Sequence, residues 1–275
     1  MDKLLFGTGG TPLTSRSPSS ADGIRRCAEL GLGCMELEFV RGVKMGETAA
    51  LQLRKVAAES SIRLTAHGPY FINLNAREPD KVAASKERIW QTAHIGNLCG
   101  ATSITFHAAF YMGDPPEEVY HRVKQALQEI VQRLKAEGNQ ISVRPEITGK
   151  PTQFGSLEEV LRLSQEIDVV QPCVDFAHWH ARTGANSYAE FADALRQIET
   201  KLGKESLHNM HIHLSGIKYN KKGELSHLNL KDSDMQYLDL LRALKDFDVK
   251  GFIICESPDL EADALLLQES FSKLT

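Results

Sequence analysis

The chain has 275 residues, of which 42% are hydrophobic and 25% are charged, an ordinary composition for a globular protein. It contains no run of about 18 apolar residues that could span a membrane, and it does not open with the basic and apolar segments of a secretory leader. The formal net charge of −4 argues weakly against a nucleic-acid partner, but bound divalent ions would reverse that balance locally.

Strand-like and helix-like segments alternate along the chain. Apolar runs predict strands near residues 3–8, 33–39, 62–67, 103–107, 141–146, 169–175, 208–214 and 251–256. Helical patterns are predicted at residues 20–30, 46–60, 78–98, 115–137, 156–166, 187–203, 233–246 and 258–273. No linker divides the chain. Eight strand–helix repeats predict an α/β protein, a (β/α)8 TIM barrel formed by residues 1–275 as a single domain.

Six of the predicted strands end in a residue that can bind a metal ion. In chain order these residues are His67, His107, Glu146, Asp175, His213 and Glu256. The C-terminal ends of the strands form the active face of a TIM barrel, so these side chains should converge there. Burying three carboxylates together without cations would be costly. The pattern therefore predicts a metal centre, and imidazole with carboxylate suits zinc or manganese.

Further histidines surround this predicted centre. His178 lies three residues after Asp175, and His227 lies in the loop after strand seven, so both extend the set of ligands. His211 is predicted one layer deeper in the barrel, where it orients a ligand or packs, and His180 is predicted beside the ligands or facing a substrate. The remaining histidines are expected outside the site: His94, His121 and His208.

Alternation along strand two places Glu36 deeper in the barrel than the metal-binding layer. Buried charges are normally paired. We therefore expect Glu36 to form a structural ion pair with Arg63 or Arg144, which alternation places on the same side as His67 and Glu146.

Several short motifs carry a family resemblance. They are A-H-G-P-Y-F-I-N-L from Ala66 to Leu74, P-E-I-T-G-K around Glu146, V-D-F-A-H, M-H-I-H-L-S-G and C-E-S near the C-terminus. In order and spacing, over residues 3–257, they resemble the endonuclease IV family of apurinic/apyrimidinic endonucleases, within the xylose-isomerase-like TIM barrels. That resemblance implies a trinuclear zinc barrel that cleaves double-stranded DNA 5′ to abasic sites in base excision repair.

The resemblance also implies a ligand set for two of the zinc ions. Glu146 would bridge them and take part in catalysis. Glu256 could also orient or deprotonate the attacking water, and metal-activated water suits phosphodiester hydrolysis. The other ligands of the first ion would be His67 and His107, and those of the second would be Asp175, His213 and Glu256.

The third ion is where this sequence departs from the family pattern. His178 and His227 would hold it, but Leu225 stands two residues before His227, where the family has an aspartate. Leucine cannot ligate a metal. Glu224 could substitute, although it is one residue out of place. We expect two or three bound ions, with the third held less tightly.

Residues for DNA binding are suggested by the same resemblance. Tyr70, three residues after His67, and Arg41, after strand two, match the family's DNA-inserting positions; an enzyme that acts on a nucleotide within a duplex must extrude it. Basic residues in predicted loops after strands could contact phosphates: Lys44, Lys150, Arg182, Lys218, Lys221 and Lys222.

Two other functions stay open. The chain also resembles sugar isomerases and epimerases of the xylose-isomerase-like barrels, which use one metal held by a tetrad matching Glu146, Asp175, His213 and Glu256. A non-enzymatic metal-binding or DNA-binding barrel is the third alternative. Five cysteines without a C-x-x-C pair indicate a reducing compartment, so we expect a cytoplasmic monomer that does not bind membranes.

Overall fold

The computed structural model describes residues 2–274, which contain a ring of parallel strands. The ten strands in this range are β1 (Leu4–Gly9), β2 (Cys34–Glu38), β3 (Arg63–His67), β4 (Ala101–Phe106), β5 (Ser142–Pro145), β6 (Cys173–Asp175), β7 (Met210–Leu214), β8 (Gly216–Asn220), β9 (Gly223–Leu228) and β10 (Gly251–Cys255). Eight of them form one sheet in the order β5-β4-β3-β2-β1-β10-β7-β6. Parallel bridges from Val143 to Val170 and from Glu146 to Cys173 join its two edges. The predicted TIM barrel is confirmed.

Helices flank the strands on the outside of the ring. They are α1 (Ser20–Glu29), α2 (Glu47–Glu59), α3 (Pro79–Cys99), α4 (Pro116–Ala136), α5 (Leu157–Glu166), α6 (Phe176–Thr183), α7 (Tyr188–Leu202), α8 (Lys204–Leu207), α9 (Tyr237–Asp246) and α10 (Glu261–Lys273). Two predicted helices begin too early, since α9 follows a 3-10 turn at Leu230–Asp232 and α10 begins three residues late. Between residues 2 and 274, no helix is long and apolar enough to cross a membrane.

The helix α6 was missed because its start coincides with the end of β6. Asp175 ends the strand and also caps the helix, since its Oδ1 accepts a hydrogen bond from the backbone N–H of His178 at 2.8 Å. Gly184, in the left-handed region at φ 79°, ends the helix. A capping aspartate and a terminal glycine were the signals that could have found it. His178 therefore lies in the first turn of a helix and not in a loop.

The lumen of the barrel is filled near the N-terminal ends of the strands. Cys34, Phe252 and Ile254 form a small apolar cluster there, packed against Leu5. Gly7 has no room for a side chain, because a Cβ would lie 1.9 Å from the carbonyl oxygen of Cys34. A ligand can therefore approach the polar residues only from the C-terminal ends of the strands.

An antiparallel hairpin formed by β8 and β9 follows β7 and covers part of the active face. Within it Lys218 pairs with Ser226 and Tyr219 pairs with Glu224, so Leu225 is an extra residue. Such a β-bulge changes which side of the strand each residue faces. The hairpin contacts the loop after β5, where the backbone N–H of Glu224 donates to the carbonyl of Gly149 at 3.0 Å. This hairpin was not predicted, and it places His227 on a strand.

Candidate metal centre

Five clusters of metal-binding side chains are found among residues 2–274, and three of them consist of predicted ligands at the C-terminal strand ends. The other two are Cys173, His211 and His213, and Glu36, Glu38 and Glu256. The first ligand group is His67, His107 and Glu146; the second is Glu146, Asp175, His213 and Glu256; the third is Asp175, His178 and His227. Within each group the candidate ligand atoms lie within 4.8 Å of one another. The spacing is compact enough for one cation per group.

Glu146 lies between the groups, and its two oxygen atoms face different histidines. Oε2 lies 3.2 Å from Nε2 of His67 and 3.3 Å from Nε2 of His107. Oε1 lies 3.3 Å from Nδ1 of His213 and 3.3 Å from Nδ1 of His178. The side chain is 1% exposed. A carboxylate placed in this way can bind one ion with each oxygen.

Backbone carbonyls orient three of the histidines. Nδ1 of His67 lies 2.7 Å from the carbonyl oxygen of the next residue, so Nε2 is left to bind a metal ion. Nδ1 of His178 lies 3.1 Å from a carbonyl on the β5 loop, and Nδ1 of His227 lies 3.2 Å from the carbonyl of Glu256. The Nε2 atoms of these two rings face each other at 3.4 Å. Fixing the second ring nitrogen in this way is typical of metal-binding histidines.

The bulge in β9 brings Glu224 to the third ligand group. Glu224 and His227 both line the central cavity, whereas Leu225 is 52% exposed. Glu224 Oε2 lies 3.4 Å from Nε2 of His178. One extra residue in the strand therefore compensates for the shift of one residue in the sequence, and Glu224 is available where the leucine is not.

Glu36 is fully buried below the second ligand group, and its partners are histidines. Oε1 lies 2.8 Å from Nε2 of His213, and Oε2 lies 3.0 Å from Nε2 of His211. Thr65 on the neighbouring strand donates a hydrogen bond to Oε2 at 2.7 Å. His211 lies one layer deeper than His213, as predicted, and packs beside Glu36.

The predicted pairing of Glu36 with an arginine is wrong. Arg63 is exposed at the start of β3, too far down the strand to meet Glu36. Arg144 points into the barrel, but it donates to the backbone carbonyls of Pro172 and Asn209 at 3.0 and 2.8 Å. Glu36 lies beside the histidines of β7, so its charged partners are the imidazoles of His211 and His213 and not an arginine.

The pKa values of the buried side chains at the centre are shifted in opposite directions. Burial alone would lower the pKa of His67, but the Glu146 and Glu38 carboxylates outweigh it and raise that pKa to about 10. Burial would raise the pKa of Glu256, yet His213 holds it at about 2. Burial raises the pKa of Glu38 to about 8. In each case burial disfavours the charged form, and for His67 and Glu256 a neighbouring opposite charge outweighs it.

Four buried carboxylate oxygens remain without a hydrogen bond among the described residues: Glu36 Oε1, Glu38 Oε1, Asp175 Oδ2 and Asp259 Oδ1. Asp175 Oδ2 lies 3.0 Å from Nδ1 of His178 but is not aligned with an N–H. An unsatisfied buried carboxylate oxygen is costly. Together with the mixed imidazole and carboxylate donors, it fits a divalent ion such as zinc.

The centre opens into a cavity of about 300 Å³. Beyond the ligands, the cavity is lined by Tyr70, Phe110, Lys150 and Gln153. The Tyr70 ring is 64% exposed and its centroid lies 6.0 Å from that of His67. Arg41 is exposed on the loop after β2 but does not line the cavity. Tyr70 is thus placed to touch a bound ligand, and Arg41 could reach only its periphery.

The predicted basic residues divide into two kinds. Lys44, Lys218, Lys221 and Lys222 are exposed. Arg182 lies on α6, where it donates to Thr148 Oγ1 at 2.9 Å and to the Gln153 carbonyl at 2.9 Å. Arg182 therefore holds the loop after β5 in place, and the prediction that it lies in a loop is wrong because it lies on α6.

The other histidines lie outside the three ligand groups. His180 is buried against Tyr219 and lies 3.1 Å from Asp234 Oδ1. His94 is on α3 and His121 is on α4, each beside a helix glutamate, and His208 lies near Asp248. The cysteines are all free thiols and all buried: Cys27, Cys34, Cys99, Cys173 and Cys255.

A family model described as xylose isomerase-like TIM barrel matches residues 24–274. The chain belongs to this family. Members of such barrels differ in chemistry, so the family shows the fold and leaves the reaction open. Among known proteins, this xylose isomerase-like barrel is 45% identical to an uncharacterised protein of Methanocaldococcus jannaschii over 273 residues, 98% of each chain.

More distant similarity is found both to endonuclease IV proteins and to an epimerase-like protein. The chain is 22% identical over 220 residues to "Probable endonuclease 4" of Mycoplasma genitalium, covering 78% of this chain and 74% of the relative. The structure of endonuclease IV from Thermus thermophilus matches with a TM-score of 0.75 at 17% identity, covering 97% and 100% of the two chains. A D-tagatose 3-epimerase-like protein matches with a TM-score of 0.73 at 17% identity, covering 97% and 96%. At such identities the structural matches support the fold alone.

Proposed function

We propose that this barrel is a metal-dependent phosphodiesterase of the endonuclease IV type, which cleaves double-stranded DNA 5′ to abasic sites and acts as a monomer in the cytoplasm. The observation that carries the proposal is the position of Glu146, whose two oxygens face two different sets of histidines. A single-metal sugar enzyme has no need for a carboxylate shared in this way. Sequence similarity to endonuclease 4 proteins supports the same interpretation.

The residues of the three ligand groups would hold two or three zinc ions, with manganese as the alternative. Bound there, the ions would supply Lewis-acid stabilisation of a phosphoryl group and activation of water. Glu146 would keep neighbouring ions close together. Glu256, on the cavity wall 3.4 Å from His213, would accept a hydrogen bond from the attacking water and so aim it at phosphorus.

The cavity wall also offers contacts for a nucleotide pulled out of a duplex. Tyr70 and Phe110 are exposed by 64% and 39%, and both line the cavity. Aromatic rings of this kind can stack on bases or fill the gap that an extruded nucleotide leaves. Lys150 lines the same cavity, and no hydrogen bond or ion pair of its ammonium group is found within residues 2–274. It is available to contact a phosphate.

A sugar epimerase remains the second candidate, and one observation favours it. The second ligand group forms a tetrad of Glu146, Asp175, His213 and Glu256, which alone could hold the one metal that such enzymes use. The overall fold matches an epimerase-like protein nearly as well as an endonuclease IV. A sugar epimerase with one metal ion would not need the first and third ligand groups.

The test compares both activities in one zinc-loaded preparation. A duplex with a single abasic-site analogue, an undamaged duplex and a ketose are supplied separately, and strand nicking and epimer formation are measured. We expect nicking 5′ to the lesion, none of the undamaged duplex, and no epimer. Glu146→Gln should abolish nicking, whereas His94→Gln, on the outer helix α3, should not. Epimer formation without nicking would contradict the proposal.

A further inference from the structure

The third ligand group differs from the first two in how its members are held. The members of the first and second groups lie at, or directly after, the ends of strands in the eight-stranded sheet. In the third group His178 lies on α6, whereas His227 lies on β9, which also carries Glu224. The strands β8 and β9 form a separate two-stranded sheet. The position of this hairpin on α6 therefore decides whether the third group is complete.

A carboxylate outside the ligand groups joins the hairpin to α6. Oδ2 of Asp234 accepts a hydrogen bond from the hydroxyl of Tyr219, on β8, at 2.7 Å. Oδ1 of the same carboxylate lies 3.1 Å from Nε2 of His180, on α6, and the rings of Tyr219 and His180 are in edge contact with centroids 4.8 Å apart. A small apolar cluster lies between the same two elements: Ala177, Ala181 and Ile217. Asp234 thus connects the hairpin that carries two of the ligands to the helix that carries another.

The backbone around Asp234 is fixed to both of these elements. Asn186, which follows α6, donates through Nδ2 to the backbone carbonyl of Asp234 at 2.8 Å, and its Oδ1 accepts from the N–H of Gln236 at 2.8 Å. Ser233 Oγ accepts a hydrogen bond from the N–H of Ile217, on β8, at 3.0 Å. Side chains that are fixed by surrounding hydrogen bonds position their partners most accurately. The carboxylate of Asp234 is thus held in place where it meets its two partners.

The ligands on the hairpin and on α6 are packed closely against each other. Nε2 of His178 lies 3.4 Å from Nε2 of His227 and 3.4 Å from Oε2 of Glu224. A Cβ at Gly149, on the loop after β5, would lie 2.6 Å from Cβ of Glu224 and 3.0 Å from Cδ2 of His178. Distances from ligands to a bound metal ion must agree within about 0.2 Å. A small shift of the hairpin on α6 would therefore weaken metal binding in the third group.

We propose that Tyr219 and Asp234 are positioning residues: together they hold the β8–β9 hairpin on α6 and thereby set the affinity of the third ligand group for its ion. This inference rests on the proposed metal centre. Neither residue belongs to a ligand group or lines the central cavity, so neither would touch a bound ion or a substrate. The first and second ligand groups should not respond to either residue, because the barrel sheet holds their members.

The test removes the contact at Asp234 from each side. Tyr219→Phe removes the hydroxyl and keeps the ring against His180. Zinc-loaded proteins are equilibrated with chelators of graded affinity, and the ions bound per chain are counted by native mass spectrometry. Residues that hold metal ligands in place typically change metal affinity about 10–100-fold. Tyr219 is 36% exposed, so we expect a loss of about 10-fold, for the third ion alone. Asp234→Ala removes both contacts and should weaken the third ion by up to about 100-fold.

The matched control is Tyr188→Phe. The hydroxyl of Tyr188 donates to Asp246 Oδ2 at the same distance, 2.7 Å, but it joins α7 to α9 at the protein surface. Its loss should leave every ion unchanged. Because Tyr219 acts through Asp234, the double variant should bind the third ion no more weakly than Asp234→Ala alone. An unchanged third ion in Tyr219→Phe, an equal loss of all ions, or additive losses in the double variant would overturn the proposal.

A rescue experiment separates positioning from a general structural role. In Tyr219→Phe, excess zinc should refill the third group by mass action and restore nicking of abasic duplex to the wild-type rate. A third ion that stays absent at excess zinc, in the variant or in the wild-type protein, would overturn the positioning role, whereas the proposed function requires only the first two ions. If Tyr219→Phe weakens the third ion but the wild-type protein nicks no abasic duplex, the proposed function fails while the positioning role stands.

Discussion

Replacing Glu146 by glutamine should disable two metal-binding positions at once. The substitution nearly preserves volume at a side chain that is 1% exposed, so the barrel should still fold. It removes one ligand from the first ligand group, which has three, and one from the second, which has four. An amide oxygen is a poor replacement for a bridging carboxylate, because it has no charge to share between two ions.

The size of the effect follows from the ligand count. Structural zinc sites with four ligands contribute about 10–16 kcal/mol, or about 3 kcal/mol per ligand, and every 1.4 kcal/mol is a factor of ten. Each of the two positions should thus lose about 100-fold or more in zinc affinity. Nicking of abasic duplex should fall by at least a similar factor.

Metal content after dialysis against a weak chelator, measured by elemental analysis and native mass spectrometry, is the assay. We expect Glu146→Gln to lose more than one ion per chain while the ion-free variant still unfolds in a single cooperative transition. His121→Gln, on the exposed surface of α4, is the control and should keep every ion. Full metal content with normal nicking in the Glu146 variant would refute the bridging role.

Three further predictions concern the cavity wall, the third ligand group and pH. Tyr70→Ala should spare metal content but weaken binding to abasic duplex by about 1–3 kcal/mol, with little effect on a small phosphodiester. Mild chelation should remove one ion first from the wild-type protein and slow nicking. Glu224→Ala and His227→Ala should show that state without chelation, whereas Leu225→Ala should behave like the wild-type protein. In ion-free protein the raised pKa of His67 stabilises the folded state fully below pH 6.5, and this stabilisation is lost as pH rises through about 10. The melting temperature of the wild-type protein should therefore fall over that range more steeply than that of His67→Gln.

Each of these predictions has a clear contrary outcome. Equal losses on duplex and on the small substrate would remove Tyr70 from DNA recognition. Unchanged metal count and nicking in the His227 variant would mean that no third ion binds. A wild-type melting curve that falls no more steeply than that of His67→Gln between pH 6.5 and 10 would mean that His67 carries no raised pKa.

The fold and the convergence of the candidate ligands at one end of the barrel were predictable because they depend on periodic features. Strand-like runs ending in His67, His107 and Glu146 could be counted, and parallel strands must bring their ends together. Backbone periodicity also placed His211 below His213. That residues 1–275 form one domain stays a prediction.

Other features depended on contacts that no local pattern encodes. Asp175 both ends a strand and caps a helix, so the sequence pattern predicts a loop where the structure has α6. The bulge at Leu225 depends on pairing across the hairpin. It brings Glu224 to the third ligand group although Glu224 is one residue out of place in the sequence. The partner of Glu36 depended on which side chains share a layer of the barrel, and two histidines of β7 occupy the space assigned to an arginine.

The number of metal ions bound per chain tests the central claim most directly. Native mass spectrometry of the zinc-loaded protein, with the element verified independently, measures it without any assumption about substrate. The three ligand groups joined by Glu146 predict two ions that resist mild chelation and a third that is lost first. A single tightly bound ion, with no further binding at excess zinc, would contradict this account and favour the epimerase.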